Sequence, residues 1–278
     1  MARRSKSPSK SASTTKQGPT RLRLDDLRRL GTALGSAVGL SPSRAAALTT
    51  QLVWFDMISA ERFGIATLME ILEQIERGEI DPKADGVIGA EHAATANLDG
   101  QRGVPILILA RAASLASEKA RDVGVGLVRV TGLGPLGSAA PLAAEMAIGP
   151  EAGLVLGPQG AWSLALPTSE GLPAVFDSAL AGPNPPGPPT AVQPWGLLVP
   201  DGGWLVVALA VSALEPLVVF HERIDSVLRG EVESPGWLLP APWTARRQAV
   251  REQGVPLSNE VLNALRRGAE RLGVAFSD

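Results

Sequence analysis

The stretch "SAERFGIATLMEILEQIERGEIDP", residues 59–82, decides the fold of the N-terminal region, because a loop, a helix and a turn follow one another in it. Its apolar residues recur at three- and four-residue steps, which is the period of an amphipathic helix. These residues are Ile65, Leu68, Ile71, Leu72 and Ile75. Gly78 is a typical helix-ending residue, and Asp81–Pro82 suits a turn. The stretch therefore predicts an amphipathic helix whose apolar face packs on other helices.

Two further helices are predicted upstream of this stretch. The first has apolar residues at helical spacing from Leu24 to Val38, and Asp25 and Asp26 favour its positive N-terminal end. Ser41–Pro42 is typical of an N-cap followed by a first-turn proline, so a second helix is expected from there to about Phe55.

Downstream of residue 85 the pattern alternates between strands and helices. A helix is predicted over 104–122, a short one at "SAAPLAAEMA", and two closing helices over 216–229 and 257–272. The strand candidates are "AATANLDG", "VGVGLVRVTG", "GLVLG", "AWSLALP", "LPAVFDS" and "WLVVALAV". This alternation predicts an α/β layered fold.

The composition excludes several kinds of chemistry. The chain of 278 residues is 45% apolar and 19% charged, as in ordinary globular proteins. It contains no cysteine, which excludes disulfides, thiolate metal sites and thiol catalysis. Tyrosine is also absent, and His92 and His221 are the only histidines. Neither has metal-ligand spacing around it, so we expect no metal site and no histidine-based triad.

Basic residues are concentrated at the N-terminus. Seven Lys or Arg residues precede the first acid, Asp25, although the whole chain has a net charge of −2. The rest of the chain has 19 basic and 28 acidic residues, which gives it a net charge of about −9. Residues 1–20 contain no apolar run, so we predict a disordered basic tail rather than a secretory signal. Contact with an acidic surface and a purely solubilising role both remain open for this tail.

The sequence predicts two structured parts and a linker. Residues 21–80 are expected to form a helical subdomain that 216–278 completes, and 81–215 to form the α/β subdomain. The Pro-rich segment 181–196 is predicted to be a rigid linker, with an SH3-type ligand as the alternative. The most apolar stretch, 202–214, is too short to span a bilayer, which takes about 20 residues. We therefore predict a buried strand there, no transmembrane segment and a cytoplasmic protein.

A glycine motif stands between a predicted strand and a predicted helix. Gly132, Gly134 and Gly137 form G-x-G-x-x-G in "GLVRVTGLGPLGSAA". In that context glycines allow backbone amides to approach a dinucleotide pyrophosphate. Against this interpretation, no acid ends the next strand to bind the ribose, and the motif lies in mid-domain. A tight strand-to-helix turn is the alternative.

Several segments together resemble one known family. They include "FDMISAERFGIATL", "IERGEIDP", "ATANLDGQRG" and "LPAVFDSA", followed by both closing helices. From about residue 22 to 274, the chain resembles the malate/L-lactate dehydrogenase family that does not use a Rossmann fold, which includes ureidoglycolate and sulfolactate dehydrogenases. The resemblance implies a sulfolactate-dehydrogenase-like α/β fold: a mixed, seven-stranded β-sheet flanked by helices, with a helical layer from the N- and C-terminal segments.

The functional positions depart from the family pattern. Where the family has Ser-His-Gly, this chain has Arg62, Phe63 and Gly64. The family's second motif, Asn-His-Phe-Gly, corresponds to residues 134–137, so the resemblance places Pro135 at a histidine position. The family's Gly-Gly-His-Lys-Gly segment has no counterpart, and the Pro-rich linker bridges the gap. Of the polar site residues, only Asp177 is retained.

These departures imply that the site has degenerated. Phe63 has no titratable proton and Pro135 has no N–H, so neither can replace an imidazole. We expect Phe63 to be a partly buried filler against Ile65, Leu68 and Leu72. The leading hypothesis is a catalytically degenerate relative that needs no cofactor and acts as a homodimeric scaffold or as a subunit of an unidentified protein partner.

Two alternatives are retained. One is an active oxidoreductase on a small 2-oxo or 2-hydroxy acid, using NAD or NADP. Asp177 would be its proton donor, Arg62 would bind a carboxylate, and Gly132, Gly134 and Gly137 would hold the cofactor. The other is a binding module that uses the basic tail on nucleic acid or lipid.

Overall fold

The computed structural model describes residues 20–181, 203–229 and 235–276. The basic tail predicted over 1–20 lies outside these ranges except for Thr20, and the predicted linker over 181–196 lies outside them except for Ala181.

Helices and short strands open the chain. Strand β1 (Thr20–Leu22) leads into helix α1 (Leu24–Ala37), which is followed by α2 (Pro42–Asp56) and α3 (Leu68–Glu76). The Ser41 side chain caps α2 by accepting a hydrogen bond from the Arg44 N–H, as its sequence predicts. Helix α3 begins later than predicted, because two short 3₁₀ turns occupy residues 61–67.

The central part of the chain supplies most of the sheet. Its elements are β2 (Val87–Glu91), β3 (Thr95–Asp99), α4 (Pro105–Val123), β4 (Val125–Thr131), α5 (Ala140–Met146), β5 (Glu151–Leu156), β6 (Trp162–Leu166), β7 (Ala174–Asp177) and β8 (Trp204–Ala210). The apolar stretch at 202–214 thus contains a strand, which confirms that prediction. Within the described ranges no helix combines the length and apolarity needed to cross a membrane.

The sheet is mixed. Its eight strands have the order β2-β3-β4-β8-β5-β6-β7-β9, where β9 is Trp237–Leu238. Strands β3 and β4 run parallel, joined by the crossover helix α4, and every other neighbouring pair is antiparallel. The predicted mixed α/β fold is confirmed; the sheet has eight strands rather than the expected seven, and β9 at one edge has only two residues.

Helix α4 forms the main contact between the helices and the sheet. Its alanine-rich face, with Ala112, Ala116 and Ala120 fully buried, packs on β4 and β8. Small residues allow the helix backbone to approach the sheet closely, and Gly126 of β4 lies directly beneath Ala116. Gly124 ends the helix with a left-handed backbone (φ 91°), so the chain reverses straight into β4.

The C-terminal segment returns to the N-terminal helices. It comprises α6 (Leu217–Leu228), α7 (Pro240–Gln253), β10 (Val255–Leu257) and α8 (Asn259–Leu272). Helix α8 packs on α1 and α3, and β10 pairs with β1 in a separate two-stranded sheet. The predicted layer of N- and C-terminal helices is therefore present.

Two details of that layer differ from the sequence analysis. Helix α7 was not predicted, because among its residues only Pro240, Trp243 and Val250 are buried and its apolar period is correspondingly weak. It belongs to the layer, since the ring of Trp243 lies 5.4 Å from that of Trp54 in α2. Helix α6, which was assigned to the layer, instead exposes Val218, Val219 and Val227 to solvent.

Candidate functional site

A cavity of about 290 Å³ lies between the N-terminal helices and the α/β part. Its walls come from the end of α2, the 3₁₀ turn at Glu61–Phe63, α3, the start of α4 and the loop that follows β4. Phe63 and Pro135, which are 72 positions apart in the sequence, both line it, together with Arg62, Leu136, Gly137 and Ser138. The fold thus brings together the positions at which the family resemblance places its two histidines.

Phe63 fills one side of this cavity. Its ring is partly buried and lies 5.6 Å from the ring of Phe55, at an angle of 51°. The ring also occupies the space above Gly137, where an added Cβ would come within 2.7 Å of Cε1. The partly buried position agrees with the sequence analysis, and these contacts are with α2 and the loop after β4. Packing against Ile65, Leu68 and Leu72 stays a prediction.

The glycine motif does not form an open cradle. Gly132 has a left-handed backbone (φ 68°), and an added Cβ would lie 2.5 Å from Oδ1 of Asp99. Gly137 faces the Phe63 ring, and only Gly134 is open, with no atom within 4 Å of an added Cβ. The backbone of the loop instead pairs with the neighbouring turn, where Arg102 N–H donates to the Gly132 carbonyl at 2.8 Å. This geometry fits the tight-turn alternative.

Arg62 is exposed at the mouth of the cavity. Its guanidinium lies 4.6 Å from the centre of the Phe63 ring, in a cation–π contact, and Nη2 donates to the carbonyl of Ala179. The side chain therefore bridges the 3₁₀ turn and the segment after β7. In this position it can reach a ligand only by giving up those contacts.

Asp177 is buried beside the cavity and fully hydrogen-bonded. It is 1% exposed, and Oδ2 accepts from the hydroxyls of Ser138 at 2.9 Å and Ser163 at 2.5 Å. Oδ1 accepts from the N–H groups of Ala179 and Leu180 at 2.9 and 3.1 Å. Burial raises the pKa of Asp177 above its usual range, and these four hydrogen bonds oppose the rise. The carboxyl fixes the loop after β4 to strands β6 and β7.

Asp56, which follows Phe55 of the cavity wall, is a buried acid that the sequence analysis did not name. It is the last residue of α2, only 4% exposed, and its Oδ2 accepts the Ile65 N–H at 3.0 Å. Burial raises the pKa of Asp56 to about 7; the Ile65 N–H opposes the rise and Glu61 adds to it. Gly64 must be glycine here, because an added Cβ would lie 2.1 Å from Oδ1. An acid that closes an apolar helix just before the family motif was the available signal.

The remaining titratable candidates lie elsewhere. His92 follows the end of β2, and its carbonyl accepts from Nζ of Lys119 at 2.8 Å. His221 lies in α6. Neither lines the cavity. Among the described residues no group of three or more histidine and carboxylate side chains could hold a metal ion.

Comparison with known proteins shows the fold and a family match over the first part of the chain. A sequence model of malate/L-lactate dehydrogenases matches residues 22–156. A malate dehydrogenase from Pyrococcus horikoshii has a TM-score of 0.81 at 18% identity, covering 93% of this chain and 97% of its own. A malate dehydrogenase from Entamoeba histolytica has a TM-score of 0.78 at 16% identity, covering 94% of this chain and 100% of its own. A sulfolactate dehydrogenase from Methanocaldococcus jannaschii scores 0.77 at 18% identity, covering 92% and 98%. A search of curated proteins found no match.

Proposed function

Because residues 22–156 match a sequence model of malate/L-lactate dehydrogenases, we propose that this chain is a catalytically degenerate relative of those oxidoreductases. It acts as a homodimeric scaffold or as the partner subunit of another protein. The observation that supports the proposal is that Phe63 and Pro135, which the sequence resemblance places at the family's histidine positions, line one cavity. Neither side chain can donate or accept a proton, and a proton must move when a keto oxygen becomes a hydroxyl.

The family's dehydrogenases typically use NAD or NADP, and the residues present do not fit such a coenzyme at the glycine loop. Pyrophosphate binding at a glycine-rich loop requires open backbone amides. Here the Phe63 ring covers Gly137, and Asp99 places a carboxylate 2.5 Å from the Cβ position of Gly132, where it would repel phosphate. We therefore derive no hydride-transfer step for this chain.

One observation favours the alternative of an active enzyme. Ser138 lines the cavity, and its hydroxyl donates to Asp177, a carboxyl whose pKa is raised by burial. A protonated Asp177 could pass a proton to a ligand through Ser138. Besides Ser138, the polar residues that line the cavity are Arg62, Thr67, Glu70 and Gln74, so the lining contains no histidine to take part in such a route. If turnover exists, Asp177→Asn should abolish it, whereas an inactive scaffold has no activity to lose.

Coenzyme binding is the first test of the proposal. NADH and NADPH are titrated into the full chain while tryptophan fluorescence is followed, with free tryptophan as the inner-filter control. Trp54 is a suitable reporter, since its ring lies 5.3 Å from that of Phe55 in the cavity wall. We expect no saturable quenching up to about 1 mM, a limit of about −4 kcal/mol in binding free energy. A Kd below about 1 μM would support the active enzyme instead.

We also predict that the chain is a homodimer. Segment 214–227, which includes most of α6, exposes four apolar side chains: Leu214 (70%), Val218 (62%), Val219 and Val227. Clustered apolar side chains of this kind are typical of association surfaces. Light scattering at micromolar concentration should give twice the 28.9 kDa chain mass. Val218→Asp should then shift the mass to that of the monomer, while Val87→Asp, at an exposed position of β2, should not. A wild-type monomer would contradict the dimer and weaken the scaffold proposal.

A further inference from the structure

The cavity around Phe63 has a mostly apolar lining, for which a site without catalysis has no evident use. Apart from Gly137 and five polar or charged residues, it is lined by apolar side chains, among them Leu52, Ile71 and Ile80. Its volume of about 290 Å³ lies close to the lower end of the usual range for small-molecule sites, about 300–1,000 Å³. A small apolar molecule that entered it would remove apolar surface from water on both sides.

The hydroxyl groups in the lining cannot donate to a carboxylate. Ser138 donates its only hydroxyl proton to Oδ2 of Asp177, and Thr67 donates its own to the Gly64 carbonyl, both at 2.9 Å. Each oxygen can therefore meet a ligand only as an acceptor. Pro105, the first residue of α4 in the cavity wall, has no N–H to donate either. The lining thus offers few donors to the carboxylate of a 2-oxo or 2-hydroxy acid.

The two charged side chains in the lining favour a neutral ligand over an anion. The guanidinium of Arg62 is held by the Ala179 carbonyl and by the Phe63 ring. Glu70 is exposed at the edge of the cavity, and its carboxylate would repel a carboxylate on a ligand. The formal charges of Arg62 and Glu70 cancel. A neutral ligand avoids this repulsion, and it also avoids the cost of removing a charge from water.

One lining side chain can still bind a polar group of such a ligand. Gln74 of α3 is partly buried, and its side-chain amide forms no hydrogen bond with any residue that the structure describes. The NH₂ group of a glutamine can donate to a neutral oxygen such as that of a ketone. A single carbonyl oxygen on an otherwise apolar molecule therefore suits this lining.

We propose that the cavity binds a neutral, largely apolar small molecule with one oxygen acceptor, such as an arylalkyl ketone, and that Gln74 donates to that oxygen. The inference rests on the proposed function, because Phe63 and Pro135 supply apolar surface where an active site would need a group that transfers a proton. The Phe63 ring limits the size of the ligand, since it occupies the space above Gly137.

The test is calorimetric titration of the full chain with 4-phenyl-2-butanone, using 2-oxo-4-phenylbutyrate as its charged counterpart. The two probes differ only in that a methyl group of the ketone replaces the carboxylate of the acid. We expect a Kd below about 1 mM for the ketone and binding of the acid that is at least about tenfold weaker. Absence of ketone binding, or equal or tighter binding of the acid, would overturn the proposal.

Isoleucine methyl NMR spectra locate the bound ketone. Ile71, Ile80 and Ile106 line the cavity, whereas Ile88 and Ile148 do not. We expect the methyl resonances of the first three to shift as the ketone is added and those of the other two to stay in place. Binding that shifts none of the three cavity isoleucines would place the ketone elsewhere and contradict the proposal.

Two variants test the lining itself. Ile71→Trp narrows the cavity from a partly buried position and should weaken ketone binding at least about tenfold, whereas Ile88→Trp, at a partly buried position of β2 outside the cavity, should leave it unchanged. Gln74→Glu keeps the size of the side chain but removes its amide donor, and should weaken ketone binding at least about threefold. Circular dichroism and the Tm establish that each variant is folded. Wild-type affinity in folded Ile71→Trp or Gln74→Glu would contradict the proposal.

Failure of this inference and failure of the proposed function give different results. The same 2-oxo-4-phenylbutyrate is incubated with the wild type and NADH or NADPH, and absorbance of the reduced cofactor is followed. Absence of ketone binding without turnover would overturn the assignment of the ligand and leave the degenerate site in place. Tighter binding of the acid without turnover would do the same. Turnover of the acid would contradict the proposed function, whatever the affinity for the ketone.

Discussion

Replacing Asp56 with asparagine is expected to raise the free energy of unfolding at pH 8. At pH 5 the increase should be about 2–3 kcal/mol smaller than at pH 8. Burial raises the pKa of Asp56 from 3.8 to about 7, so ionisation of this carboxyl is much less favourable in the folded state than in the unfolded state. Asparagine removes the ionisation, and its side-chain oxygen can still accept the Ile65 N–H.

The raised pKa determines the direction of the pH dependence. Between about pH 4 and pH 7 the folded protein keeps the Asp56 proton, while the unfolded chain has lost it. The contribution of Asp56 to the unfolding free energy is therefore fully present below about pH 4, falls by ~1.4 kcal/mol per pH unit, and levels off above pH 7. The pKa of Asp177 is also raised, so its contribution to the unfolding free energy falls with pH in the same direction. The Asp56→Asn variant should therefore keep part of the pH dependence.

Urea unfolding of wild type and variant at pH 5 and pH 8 measures this effect. Asp122→Asn, at an exposed position on α4, is the matched control and should change the unfolding free energy equally little at both pH values. An Asp56→Asn effect of the same size at pH 5 and pH 8 would show that Asp56 ionises normally in the folded protein.

Gly126→Ala is expected to destabilise the fold by about 3 kcal/mol or more. A Cβ at this position of β4 would lie 1.9 Å from the carbonyl oxygen of Ala116 and 2.7 Å from its carbon. Both atoms belong to the backbone of α4, which cannot move aside as a flexible side chain can. Helix α4 would have to lift from β4, which it covers at the centre of the sheet.

Gly89→Ala is the control for this substitution. Gly89 lies in the edge strand β2, and the nearest atom to an added Cβ is the Asn97 carbonyl oxygen at 3.9 Å. We expect this change to alter the unfolding free energy by less than about 1 kcal/mol. Thermal unfolding followed by circular dichroism compares the two. Equal Tm values for both variants would contradict the close packing of α4 on β4.

The sequence predicted those helices and strands that have a strong local signal, such as a helix cap or a run of valines. Ser41–Pro42 marked the start of α2, and the valine-rich run to Thr131 marked β4. Weakly patterned elements were missed: β2 buries no residue, so it lacks the alternation of a half-buried strand. The position of β8 between β4 and β5 was also inaccessible, because pairing between strands far apart in the sequence depends on the whole sheet.

The sequence analysis named residues that line the cavity, but it could not describe their surroundings. The family resemblance singled out Phe63, Pro135 and Asp177, and the fold brings the first two to one cavity. The sequence could not indicate that the Asp177 carboxyl accepts four hydrogen bonds, since two of its donors, Ser138 and Ser163, are distant from it in the sequence. The raised pKa of Asp56 was equally hidden, because it results from burial that only the packed structure creates.

Turnover is the most direct test of the degenerate site. Purified wild type and Phe63→His are assayed with NADH and NADPH against pyruvate and oxaloacetate, following absorbance of the reduced cofactor. We expect both to remain below about 0.1 per second, a tenth of the low end of usual kcat values. The new imidazole would share the cavity with Pro135, which has no N–H, and the Asp177 carboxyl beside the cavity already accepts hydrogen bonds from Ser138 and Ser163. Turnover above that limit by the wild type, or its appearance in Phe63→His, would contradict the account.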